Sequence, residues 1–212
     1  MISSQKIQPK WNQEASFPDF KLFQKGCLIY RQGVKSEGYY LLKKGTVKLQ
    51  KSLDKGSQTI LRIVSEGEIF GEGDFYGQNE NQSTAIAIED DTIIQKLDAE
   101  KTKTPEVNQQ VQLHLLNQNE QLATRLQRML FEEAEERIKS LLFDLASKKG
   151  KNFGTETLLK INLTHSELAL LADTSRQMVS KTLSQLKKEG QLNYSRNRFL
   201  FRNLLNFKPQ LS

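Results

Sequence analysis

From Asp19 to Leu97 the chain is broken every few residues by a glycine turn, whereas from about Glu106 to Leu130 it holds neither glycine nor proline. Breaks that frequent leave room only for short extended elements, and an uninterrupted stretch of 25 residues can carry a long helix. In the first part DFKLF, CLIY, YYLLKKG, TVKLQKSL, QTILRIV, STAIAIE and TIIQKLD carry alternating or short apolar runs. The breaks fall at Lys25-Gly26, Gln32-Gly33, Lys44-Gly45, Asp54-Lys55-Gly56 and Glu66-Gly67. This spacing predicts an antiparallel barrel or roll, with Asp54 to Ser57 as a hairpin tip.

The uninterrupted stretch spans roughly 37 Å as a helix at 1.5 Å per residue. Leu115, Leu122 and Met129 recur at sevens, with Asn119 and Leu126 between them. A seam that narrow on a helix that long most simply packs against a twin, and the polar Asn119 within it would fix the register. The alternative is a helix packed only on its own roll. Between Phe131 and Glu136 the apolar phase slips, an acidic cluster appears, and a second helix from Arg137 to about Lys148 restarts with Ile138, Leu141, Leu142 and Leu145 inward. Such a slip is a candidate hinge. The expected organisation is a β-roll over residues 1–104, a long dimerisation helix and hinge over 105–132, and a third part over 133–212.

That third part contains LTHSELALLADTSRQMVSKTLSQLKKEG, Leu163 to Gly190. Thr164 followed by Glu167 forms a capping box that starts one helix, with Leu168, Leu171 and Ala172 inward and Ala169 small enough to let another helix cross. Asp173 suits the turn because its short polar side chain tolerates unusual dihedrals. Thr174 or Ser175 then caps a second helix, about residues 175–188, whose Val179, Leu183 and Leu186 point inward. A helix-turn-helix results, and its second helix exposes Arg176, Gln177, Ser180 and Lys181, side chains suited to base edges in a major groove. Lys187 and Lys188 lie where phosphates would be, or are simply solvated. Leu192 to Tyr194 and Phe199 to Phe201 read as two strands of a wing, with Arg196 and Arg198 at its tip, placed for phosphates or for solubility.

The charge distribution agrees. From Lys160 to the end there are nine Lys or Arg and three Asp or Glu, and the rest of the chain holds 22 of each. A basic segment on a neutral body is the signature of a polyanion-binding module, against the alternative of charge that merely solubilises. Hydrophobic content of 37% and the absence of an apolar run of bilayer length argue against a membrane protein, and MISSQKIQPKW lacks the apolar middle of a secretory signal; the expected location is the cytoplasm. The single cysteine, Cys27, cannot form an internal disulfide or by itself hold a metal cluster, and is expected to be a small buried residue near a strand. His114 and His165 show no ligand spacing, and no metal site, cofactor or catalytic set is evident: there is no nucleophile with a base, no metal triad and no P-loop.

The order roll, long helix, hinge and winged helix resembles the CRP/FNR superfamily of bacterial transcription regulators over nearly the whole chain. Gly67-Glu68-Ile69-Phe70-Gly71-Glu72 with Ser83-Thr84-Ala85 is similar to that family's phosphate-binding cassette, and TSRQMVSKTLSQLKKEGQL to its recognition helix. The resemblance implies an α+β fold with an N-terminal antiparallel cyclic-nucleotide-binding-like jelly roll. It places Arg176, Gln177 and Lys181 at the main base-contacting positions, with Gln177 where many members have Glu, and adds Ser175 and Thr164 to the DNA-binding set. An effector pocket would then be lined by Gly71, Glu72, Gln82, Ser83 and Thr84, although Glu72 could instead serve only the cassette's own backbone. Cyclic-nucleotide binders of this family carry Arg immediately before the small hydroxyl residue, where this chain has Gln82. A neutral amide lacks the charge-assisted fork of Arg, and the helix positions that would face an adenine, Leu122 and Ala123, are apolar. Cyclic AMP is therefore not expected to bind usefully, and the effector is unknown.

The expected function is a homodimeric, sequence-specific regulator of transcription binding a near-palindromic duplex site, with RNA polymerase as a further partner by family similarity. The alternatives are a constitutive regulator with a vestigial pocket, or a small-molecule-sensing module acting through a protein partner. Activator and repressor are not distinguishable.

Overall fold

The computed structural model describes residues 20–53, 56–71, 80–97 and 105–209. The chain divides into two compact units: residues 1–47 with 64–118, and residues 48–63 with 119–212. The hairpin from Lys48 to Ile63 thus groups with the C-terminal half of the chain rather than with its sequence neighbours.

Among the described residues eight short strands precede the first helix: β1 Phe20–Phe23, β2 Leu28–Tyr30, β3 Tyr39–Lys44, β4 Val47–Ser52, β5 Gln58–Val64, β6 Ile69–Phe70, β7 Thr84–Ala87 and β8 Thr92–Leu97. They form two antiparallel four-stranded sheets, in the orders β1-β8-β3-β6 and β2-β7-β4-β5. In the first sheet Phe20 lies opposite Gln95, Leu42 opposite Ile94 and Tyr40 opposite Phe70. All seven anticipated strands are present, and the two-residue β6 is an addition too short for any pattern to announce. Asp54 and Lys55 of the anticipated hairpin tip lie outside the described residues. The tip is closed by the Leu53 N–H donating to the Ser57 carbonyl at 2.8 Å.

Period-two alternation divides the residues of β3 between two sides. Tyr40 stacks with Tyr30 and Phe70, with ring centroids 5.5 to 6.0 Å apart. On the other side Tyr39 and Leu41 join Ile69, Leu97 and Val111 in one buried cluster. Each such side chain taken fully from water contributes about 1.5–3 kcal/mol before the entropy of ordering it. Gly71, assigned above to the effector cassette, has a structural reason to be glycine. Its φ is +93°, and a Cβ there would lie 2.8 Å from both the Gly38 carbonyl oxygen and the Tyr40 ring. Cys27 departs from expectation: it is exposed, because it closes a turn back onto the Gln24 carbonyl just before β2 and its side chain never reaches the interior.

The long helix α1 runs Pro105–Phe131, and α2 follows at Ala134–Lys149. Between them Glu133 is extended (φ −65°, ψ 155°) and makes no side-chain cap, so the anticipated phase slip is a true break in the helix. Beyond α2 come β9 Lys151–Phe153, β10 Glu156–Lys160, α3 His165–Leu171, α4 Arg176–Lys188, β11 Leu192–Ser195, β12 Arg198–Phe201 and a final 3-10 turn, Leu204–Phe207. The order β11-β12-β10-β9 makes a third antiparallel sheet. Its β9–β10 hairpin was not anticipated, although Gly154 in the turn (φ +62°) and the alternate burial of Thr157 and Leu159 supply the usual signs. Ile138, Leu142, Leu159, Val179, Leu183 and Phe201 lie buried in this second unit.

Candidate nucleic-acid interface

The helix-turn-helix is built by local hydrogen bonds the sequence announces. At the start of α3 the Thr164 hydroxyl accepts from the Glu167 N–H at 3.2 Å, and the Thr164 N–H donates to the Glu167 carboxylate at 2.8 Å, completing the capping box. Asp173 holds the turn at φ +50°, a conformation an Asp side chain accepts at modest cost. Ser175, rather than Thr174, caps α4, its hydroxyl accepting from the Met178 N–H at 3.1 Å. The inner face of α4 is Val179, Thr182, Leu183 and Leu186, all buried.

The opposite face presents what the sequence led us to expect, with one modification. Arg176, Gln177 and Lys181 are exposed, and their spacing puts them with Ser180 on one face of the helix. Ser180 is only half-exposed, and its Oγ lies 3.0 Å from Nδ1 of His165, the first residue of α3. Thr164 and Ser175 are exposed as well, but their hydroxyls are engaged as caps. On the wing Arg196 and Arg198 are exposed around Asn197, whose φ of +62° makes the tight turn and whose carbonyl accepts from the Ile161 N–H at 3.1 Å. Among the described residues Arg176, Lys181, Arg196 and Arg198 have no carboxylate partner, whereas Arg202 is paired with Glu156. Lys187 Nζ sits 5.6 Å over the Tyr194 ring. A surface of unneutralised cations around a solvated helix face is what a polyanion requires.

Three basic residues outside this face hold it in place, and sequence reasoning missed all three. Arg125 of α1 donates from Nε and Nη2 to the two carboxylate oxygens of Asp173 at 2.8 and 2.7 Å, a bidentate fork. Its remaining hydrogens go to the carbonyls of Leu170 (3.0 Å), Ile60 (2.9 Å) and Leu61 (3.0 Å). Arg137 of α2 donates to the carbonyls of Ala172 and Asp173, both at 3.0 Å, and of Glu132 at 2.6 Å, so the break between α1 and α2 is strapped to the turn. Lys48 of β4 donates to Glu167 at 2.6 Å. Burial opposes the charge on Glu167, but the Lys48 ammonium and the Thr164 backbone and hydroxyl bonds outweigh it and hold its carboxyl below the ordinary carboxylate range. A lowered carboxyl stabilises the fold above its ordinary value, and that contribution is lost as pH falls through the lowered one. No local pattern could have announced these contacts, because Arg125 meets partners 45 to 65 positions away.

The other anticipated sites fare unevenly. Of the seam on α1, Leu122 (56%), Leu126 (57%) and Met129 (49%) are strongly exposed, and Asn119 is exposed with them. Leu115 instead packs against its own cluster of Tyr39, Leu41, Ile69, Leu97 and Val111. Ala123 is exposed. In the cassette Gln82 is exposed and donates to the Glu80 carbonyl, Ser83 is buried, and the Thr84 hydroxyl accepts from the Gln32 N–H at 3.1 Å; Glu72 lies outside the described residues. His114 is bonded to Gln118 one turn along α1. Among the described residues no group of three potential ligands is placed to hold a metal ion.

Residues 20–103 match the model of the cyclic nucleotide-binding domain, and residues 136–205 that of the Crp-like helix-turn-helix domain. The chain is 29% identical over 174 residues to the cyclic AMP receptor protein of Thermus thermophilus, covering 80% of this chain and 77% of that one. Its fold is similar to a CRP-family transcriptional regulator from the same organism (TM-score 0.77, 24% identity, 88% of this chain and 94% of that one) and to FixK2 from Bradyrhizobium japonicum (TM-score 0.77, 18% identity, 92% and 98%). These matches mark a regulator of transcription with a helix-turn-helix DNA-binding domain. The chain belongs to the CRP/FNR family.

Proposed function

We propose that this protein is a homodimeric regulator that reads a near-palindromic duplex site, with α4 of each copy in the major groove. One observation carries the reading: Arg176, Gln177 and Lys181 stand exposed on the first turns of a helix whose other face is fully buried, and among the described residues neither cation has a carboxylate partner. Arg176 and Gln177 supply the donors and acceptors that distinguish base pairs, and Arg196, Arg198 and the lysines of α4 grip phosphates whatever the sequence. Pairing through the exposed part of the α1 seam would set two such helices about 34 Å apart, one turn of duplex. RNA polymerase is a further partner, and the cytoplasm is the place of action; no described helix is long and apolar enough to cross a membrane.

The two classes of contact separate experimentally. Arg176→Ala is expected to cost about 1–3 kcal/mol on the preferred site and far less on random duplex. Arg196→Ala is expected to weaken both alike and to shallow the dependence of log K on log salt by about one unit. Gel-shift titrations across salt concentrations read both, and equal losses on the two DNAs for Arg176→Ala would count against the assignment.

The effector is not cyclic AMP. Gln82, at the position where a cyclic-nucleotide binder offers an arginine, is neutral and turned to the Glu80 carbonyl. The name of the Thermus relative belongs to that protein. Calorimetry with cyclic AMP is expected to give no heat at micromolar ligand; a saturable isotherm there would overturn this.

A further inference from the structure

The contact between His165 and Ser180 joins the start of α3 to the middle of the proposed reading face. We propose that His165 is a positioning residue for base recognition: by holding the Ser180 hydroxyl it decides what that hydroxyl offers the groove. The inference rests on the functional reading above and adds a specificity determinant to it.

Ser180 stands on the same helical face as Arg176, Gln177 and Lys181, but it differs from them in being half-buried and already bonded, Oγ to Nδ1, at 3.0 Å. A hydroxyl has one hydrogen to give and two lone pairs to receive, and it turns freely to suit whichever partner is nearest. Unheld, Ser180 would meet a donor or an acceptor base edge equally well and distinguish neither. Held by the imidazole, it has one capacity committed. If Nδ1 accepts the hydroxyl proton, only the lone pairs of Oγ remain for the groove; if Nδ1 carries the hydrogen and donates it, the Ser180 O–H is turned outward. In the first case the hydroxyl can only accept from the groove; in the second it keeps one lone pair, but the imidazole fixes where its hydrogen points, so in both its free rotation is lost.

The ring is itself held, which is what a positioning role requires. The His165 ring packs against Tyr194 of β11, with centroids 6.0 Å apart and planes at 55°, and Lys187 covers the Tyr194 ring from α4. Tyr194 stacks in turn on Phe199 of β12. The imidazole is thus set by the wing sheet and α4, and its rotation is not left to Ser180 alone.

The test uses the full chain and four variants: Ser180→Ala, His165→Phe, the double variant, and His165→Asn. Phenylalanine keeps a ring against Tyr194 but has no nitrogen, whereas the asparagine amide occupies the place of Nδ1. A duplex site is first selected from a random pool with the unaltered protein. Each variant is then titrated against that site, every single base-pair change in it, and random duplex. Ser180→Ala is expected to lower discrimination roughly three- to tenfold at one base-pair position in each half-site, as loss of a single hydrogen bond would. His165→Phe should lower it at the same position and by a similar factor, the double variant should go no further, and His165→Asn should restore the preference. Binding to random duplex should change by less than about twofold throughout, since phosphate contacts carry no sequence information. Preserved discrimination in His165→Phe, equal loss on every duplex, or multiplying effects in the double variant would overturn the inference while leaving the function intact. A parent chain that enriches no sequence at all would overturn the function, and this pairing with it.

Discussion

Replacing Arg125 with alanine is expected to lower the unfolding midpoint of the C-terminal unit by on the order of 10 °C, through a loss of about 2–3 kcal/mol. The substitution removes five hydrogen bonds together and leaves the Asp173 carboxylate and the carbonyls of Ile60, Leu61 and Leu170 without that donor. Breaking a buried ion pair from one side costs up to about 5 kcal/mol, but Arg125 and Asp173 keep 24% and 22% of their side-chain exposure, so water recovers part of it. Arg125→Lys should recover little, because a single ammonium cannot occupy the fork on Asp173 and reach β5 as well. Differential scanning calorimetry reads the midpoint, and a shift below about 2 °C for Arg125→Ala would show these bonds to be idle.

The second large effect concerns assembly. Leu122 and Leu126 are more than half exposed on a helix that also exposes Leu130 and Phe131, so the single chain leaves a contiguous apolar strip in water. Leu122→Asp combined with Leu126→Asp is expected to leave the protein folded and monomeric, because both side chains are more than half exposed in the single chain. Two linked reading helices bind a palindrome more tightly than one by roughly 10² to 10⁴. The double variant should therefore lose at least about a hundredfold on the selected site while binding random duplex nearly as the parent does. Sedimentation equilibrium and gel shifts give the two halves of the answer; a dimer that survives both aspartates would place the interface elsewhere.

How much of this was legible beforehand depends on the range of the interaction. The capping box at Thr164 and Glu167, the turn at Asp173, the cap at Ser175 and the buried Val179, Leu183 and Leu186 all involve residues within a few positions of one another, and the sequence shows each. The strands of the roll were equally plain, since period-two alternation and glycine breaks are local. Long-range partners were not legible. Arg125 looks like any polar residue of an amphipathic helix until the chain has brought Asp173 and two β5 carbonyls to it. Leu115 falls into step with Leu122 and Met129 by spacing alone, and only folding shows that the cluster around Tyr39 claims it. Cys27 failed for a related reason: its type favours interiors, but a turn decides its place.

The grouping of residues 48–63 with residues 119–212 bears on how the molecule must come into being. During synthesis the hairpin leaves the ribosome before Arg125 and long before Glu167 exists, so Lys48 must wait for a partner more than a hundred residues away and the carbonyls of Ile60 and Leu61 for one more than sixty residues away. Closing loops of that length makes maturation of the C-terminal unit a late and comparatively slow event. A ribosome pausing after α2 would hold a nascent chain in which Arg125 has been made but Lys48 still lacks Glu167.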